Sequence, residues 1–263
     1  IDEFDLTHQQ AADAIGRSRA AVSNLLRLLD LGVEAKDLVK AGKLAEAYAL
    51  WGEGVTKKED PLAEEKGLME SAWKDITKAA EIHNQPGLFT AFIGFEWTSS
   101  PGGSNLHRNV IYRDGKTLAD QMVPMSVYDS EDPEDLWKWM QNYETQTGGR
   151  VLAIPHNGNL SNGLMFDVVT LKEKKPLDRD YASRRMRWEP LYEVTQIKGD
   201  GEAHPLLSPT DEFADFETWD KGSFAAAKEP GMIPREYARE ALKKGLAFEQ
   251  TIGENPFKFG MVG

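Results

Sequence analysis

Hydrophobic residues along this chain cluster in short runs bounded by Gly, Pro, Ser and Asn, and these runs alternate with stretches of helical period. The run LFTAFIGF at 88–95 predicts a strand over 88–97, which delivers the carboxylate Glu96 at its end. A Ser/Pro/Gly turn follows. A second strand is predicted over 107–113, starting at His107 and Arg108 and carrying Val110, Ile111 and Tyr112. A third, over 151–155, ends at His156 and Asn157, and two more are predicted over 190–197 and in the closing FKFGMV segment. Between them the period changes. A helix over 62–84 carries Met69, Trp73, Ile76 and Ala80. Asp132 caps another, with Pro133 in its first position and acids in its first turn. Leu136, Met140 and Tyr143 form the inward face of that helix, which Gly148 and Gly149 end. Further helices are predicted around 176–187 and from Pro234 to near Gly253. Strands alternating with helices predict an α/β fold built on a parallel sheet or a barrel.

The first part of the chain has a different pattern. Thr7 caps a short helix ended by Gly16, and Ser18 caps a second over 19–29. Val22, Leu25, Leu26 and Leu29 of the second helix share one face, giving a helix-turn-helix pattern. Arg17, Arg19, Ser23, Asn24 and Arg27 lie opposite and suit phosphates and base edges. Residues 34–52 read as one or two helices broken at Gly42, and 53–61 as a charged linker ending in Pro. The expected organisation is a helix-turn-helix unit over 1–33, a helical connector over 34–87 and an α/β domain over 88–263.

Composition narrows the function. The 263 residues are 40% hydrophobic and 28% charged, enough for a sizeable core. A net charge of −12 argues against broad, non-specific binding to nucleic acid or anionic membranes. There is no cysteine, which excludes disulfides, thiolate metal sites and cysteine nucleophiles. No apolar run approaches the ~18 residues of a membrane span. The chain opens IDEFD and closes FGMVG, so both ends read as cuts within a longer protein. Two histidines and a glutamate, each at a strand terminus, suit an imidazole–carboxylate metal site of Glu96, His107 and His156.

Two resemblances add to this. LTHQQAADAIGRSRAAVSNLLRLLDL, about residues 6–31, resembles the helix-turn-helix of ParB-type chromosome-partition proteins. It implies DNA as a partner, contacted through Arg17, Ser18, Arg19, Ser23, Asn24 and Arg27. The nucleotide-binding and dimerisation domains of that family have no counterpart here. From about residue 41 to 263 the chain resembles the central part of a bacterial family catalogued as a domain of unknown function. The motifs that carry it include AYALWGEGV, FIGFEWTSSPGG, LHRNVIYRDG, YDSEDPEDLW, VLAIPHNGNLSNGLMF and WEPLYEVTQIKGDGEAHP. Members are similar to the PHP (polymerase and histidinol phosphatase) metallohydrolases. That similarity implies a (β/α) barrel with metal ions at its rim and hydrolysis of small anionic esters of phosphate or sulfate type.

Carried onto this chain, the resemblance implies a divalent ion (Zn, Mn or Fe) on Glu96, His107 and His156. Arg108 and Asn157 would serve catalysis, and Lys198 and His204 would contact substrate. The PHP pattern also includes a His-x-His and an Asp-x-His. The five histidines here (His8, His83, His107, His156 and His204) form neither. A partial barrel, weak metal binding, no appreciable activity and self-association through an open barrel edge are therefore expected. The alternative is a DNA-binding helix-turn-helix module. The resemblances differ on compartment: cytoplasmic for the partition proteins, exported for the hydrolases.

Overall fold

A computed structural model describes residues 67–220 and 228–263. The helices predicted over 7–16, 19–29 and 34–52, with the six DNA-facing residues, lie outside the described residues. The compact unit described here runs from Gly67 to Gly263. It starts with helix α1 (Leu68–His83), whose buried Trp73 is in the core. Residues 68–83, the described helical part of the segment expected over 34–87, thus belong to this unit.

Three strands build the main sheet: β1 (Gly94–Trp97), β2 (Arg108–Tyr112) and, after two intervening helices, β3 (Val151–Pro155). Their order is β1-β2-β3, and both pairings are antiparallel. The expected parallel arrangement is corrected here. The connection over 98–107 is shorter than the dozen or more residues a parallel crossover requires. Strand β1 is also shorter than the apolar run suggests, because only 94–97 faces β2, and Leu88, Phe89 and Phe92 stay exposed. Gly94 is needed there, since a Cβ would meet Val110 O at 2.8 Å.

Between β2 and β3 lie the short helix α2 (Lys116–Ala119) and the longer α3 (Pro133–Thr147). The Asp132 side chain accepts a hydrogen bond from Glu134 N (2.9 Å), and Gly148 at φ 72° ends α3. Helix α3 buries Leu136, Trp137, Met140 and Tyr143. Tyr143 meets Tyr112 edge-on at 5.0 Å, while Trp73 packs against Phe95 and donates to Ala119 O. One sheet face is therefore sealed by α1 and α3. On the other face Ile111, Leu152 and Ile154 remain half-buried and line an open apolar trough with Phe92 and Leu191.

The rest of the unit wraps one end of the sheet. Helix α4 (Arg179–Trp188) is capped by Asp178, later than the pattern suggested, because the cap fixes the start. The strand predicted over 190–197 divides into β4 (Leu191–Glu193) and β5 (Thr195–Gln196), and β5 forms a hairpin with β6 (Gly199–Asp200). Pro234 sits in a 3-10 turn, so the last helix, α5 (Ala238–Ile252), begins after it. Strand β7 (Gly260–Val262) pairs with β4, the one parallel pairing among the described residues. The strands fall into three separate sheets and no closed barrel forms among the described residues. Nor is any described helix long and apolar enough to cross a membrane.

Candidate metal centre

The pleat places the three candidate ligands together. Glu96 pairs with Asn109 across β1 and β2, and Arg108 pairs with Pro155 across β2 and β3. One step further, His107 lies opposite His156, whose N–H donates to His107 O (3.3 Å). Because side chains alternate, Glu96, His107 and His156 share the sheet face opposite α1 and α3.

Their side chains converge. Glu96 Oε1 accepts from His107 Nδ1 at 2.9 Å and from His156 Nε2 at 3.0 Å. The imidazole rings stand edge-to-face, with centroids 5.7 Å apart. His156 is buried, His107 nearly so, and the Glu96 side chain is 45% exposed, which leaves the cluster open to solvent on one side. Ser100 Oγ lies 3.1 Å from His107 Nε2 and holds the far side of that ring. Hydrogen bonds from His107 and then His156 hold the Glu96 carboxyl far below the usual carboxylate range. Burial makes His107 a weaker base than usual, against the pull of Glu96, and the Lys198 charge acts in the same direction as burial. Glu96 therefore stays ionised and the His107 ring tends to stay neutral, the states that metal ligation requires.

One ligand atom from each residue lies within 4.8 Å of the others. Ligands at ~2.0–2.2 Å from an ion sit roughly 3.5 Å apart in a tetrahedral set, so modest rotamer changes suffice. The donor set, two nitrogens and one carboxylate oxygen, fits a borderline divalent ion, with three protein ligands and an open position. His156 Nδ1 is buried with no protein partner, as are both side-chain polar atoms of Asn157. Asn157 also holds a left-handed conformation (φ 56°), uncommon outside glycine. Buried unpaired polar atoms and local strain concentrate at functional sites.

The other sequence candidates separate. Arg108 is not at the centre. It is buried beneath the opposite face, where its Nε donates to Glu189 Oε1 at 3.0 Å and its guanidinium also donates to Leu106 O. Arg185 and Trp137 complete that buried cluster around Glu189. His107 directly precedes β2 and Arg108 begins it, in extended backbone, so the two point to opposite faces. His204 is buried in a separate pair, its Nε2 2.9 Å from Asp220 Oδ2 and its Nδ1 accepting from Leu206 N. Lys198 sits at the tip of the β5–β6 hairpin, within electrostatic reach of His107. Two residues were not singled out by sequence. Ser100 belongs to the turn after β1, and Asn159 of the HNGN segment ties that segment to the hairpin. A polar run directly after an apolar strand was the available signal.

An α/β unit with a carboxylate and two imidazoles gathered at one end of an antiparallel sheet is the class these features define. The chain belongs to the family described as "Protein of unknown function (DUF3604)", which it matches over residues 16–263. Curated relatives match a much shorter stretch. It is 57% identical over 49 residues to the "Probable chromosome-partitioning protein ParB" of Xylella fastidiosa (strain 9a5c), 19% of this chain and 16% of that protein. The corresponding proteins of Coxiella burnetii (45% over 49 residues) and Vibrio cholerae (48% over 48 residues) match similarly. These matches span 17% and 16% of the relatives' own lengths and 19% and 18% of this chain. No solved structure gives a significant match.

Proposed function

We propose that Glu96, His107 and His156 hold one divalent cation, and that this domain serves the hydrolysis of phosphate- or sulfate-type esters. The observation that carries this is the convergence of two imidazoles on one oxygen of a half-exposed, ionised carboxylate. The hydrolytic direction comes from the resemblance to PHP metallohydrolases expected from the sequence motifs. A cation bound there would polarise the ester and make water a better nucleophile. The protein's own contribution is placement. Strand register aligns the candidate ligands, Ser100 steadies the His107 ring, and His156 is itself buried. Asn157, with its unpaired amide, stands next to His156 as a second polar contact for a bound group. His107 contacts Glu96 as His156 does, so all three residues belong to the proposed ligand set.

The test is hydrolysis of p-nitrophenyl phosphate and sulfate with added Zn²⁺ or Mn²⁺. One three-ligand site predicts slow, metal-dependent turnover that Glu96→Gln and His156→Ala each abolish. Turnover that survives a chelator or either substitution would place the chemistry elsewhere.

The ParB identities favour a second role for the beginning of the chain, DNA contact through Arg17, Ser18, Arg19, Ser23, Asn24 and Arg27. The acidic remainder of the chain opposes it. Salt-sensitive binding no tighter than the ~10⁻⁶ M of non-specific contacts is expected in a fluorescence-anisotropy titration with a partition-site duplex. Nanomolar binding at physiological salt, lost in Arg19→Ala, would make DNA recognition the leading role instead.

A further inference from the structure

Resting on the metal-site reading above, we propose that Lys198 is the anion-binding residue of this centre, and that the ester it takes carries an apolar alcohol held along Ile197 and Trp219. Gln196 pairs with Gly199, so Ile197 and Lys198 alone form the tip of the β5–β6 hairpin. The tip is fixed to the ligand-bearing segment by one side chain. Asn159, three residues beyond His156 and buried, donates its amide to Lys198 O at 2.9 Å and to Trp219 O at 3.2 Å. The Asn159 carbonyl in turn accepts from Lys228, whose ammonium pairs with the buried Glu236 at 2.9 Å. Gly199, at φ 98°, completes the join, because a Cβ there would meet Trp219 Cβ at 2.5 Å. The backbone of Lys198 is thus held in place next to the loop that carries His156.

The side chains from this clamp differ in chemistry. Among the described residues, Arg108, Arg185 and Lys228 are buried cations committed to carboxylates. Lys198 has no ion-pair partner among the described residues, and its backbone is tied to Asn159, three residues beyond His156. An unpaired, backbone-anchored cation beside a metal centre suits a tetrahedral oxyanion, which accepts charge-assisted hydrogen bonds. The neighbour of Lys198 at the tip and the residue that shares the Asn159 amide with it are both exposed and apolar. Ile197 is 94% exposed and Trp219 is 48% exposed. The shared Asn159 amide sets the carbonyls of Lys198 and Trp219 side by side, which puts the Ile197–Lys198 tip next to Trp219.

The experiment is calorimetry of the chain with phenyl phosphate and methyl phosphate, each with and without saturating Mn²⁺. Phenyl phosphate is expected to bind several-fold more tightly than methyl phosphate, from aromatic contact. Lys198→Gln is expected to weaken both by about tenfold, Lys198→Arg to restore most of that, and Trp219→Ala to remove the preference for phenyl. The Mn²⁺ titration is read first, so absence of metal binding counts against the metal site alone. The Lys198 comparison is then still decided in the metal-free titrations. Unchanged affinity for both esters in Lys198→Gln, equal binding of the two esters by the unsubstituted chain, or failure of Lys198→Arg to rescue would overturn the assignment.

Discussion

Two neighbours at the start of β2 have opposite fates. His107 faces the open side and joins Glu96 and His156. Arg108 faces the core and neutralises Glu189 together with Arg185. A buried pair of this kind adds little over apolar packing, but breaking it leaves an uncompensated charge. Arg108→Ala is therefore expected to cost about 3–5 kcal/mol of unfolding free energy in a urea titration. Divalent-metal affinity of the folded fraction should be unchanged. A stable Arg108→Ala chain with impaired metal binding would return Arg108 to the site.

At the level of elements, local chemistry did much of the folding. Asp132, Pro133 and Gly148 mark the ends of α3 as the sequence implied, because caps are local interactions. Removing the Asp132 cap, as Asp132→Ala, is expected to cost ~1 kcal/mol in the same titration. A cost near zero would show that tertiary packing alone fixes that helix end. The strand positions were legible in outline from their apolar runs and flanking turns, though the runs at 88–97 and 190–197 are longer than the strands they hold. Strand direction was not, since pairing depends on partners far away in sequence. The three candidate ligands could be read off as strand ends because Glu96 and His156 follow apolar runs directly. Which of His107 and Arg108 faces the site depends on the register with β1 and β3. The role of Asn159 depends on a hairpin about forty residues later, so neither was readable from local pattern.

For the whole unit, stability should carry the mark of the buried Glu189. Burial alone would raise its pKa, but Arg108 and Arg185 prevail and hold it below the ordinary 4.5. A carboxylate depressed in the folded state stabilises above the unfolded pKa, and that stabilisation fades as pH falls through the folded value. Denaturant stability should therefore hold above about pH 4.5 and fall below it. Glu189→Gln should lower stability at neutral pH and flatten that acid slope. An unchanged slope would remove Glu189 from the account. The central claim is the single cation on Glu96, His107 and His156, and calorimetric titration of this chain with Zn²⁺ tests it most directly. One ion per chain is expected, with the binding heat lost in Glu96→Gln, His107→Ala and His156→Ala alike. Binding that persists in all three variants, or none in the unsubstituted chain, would contradict the claim.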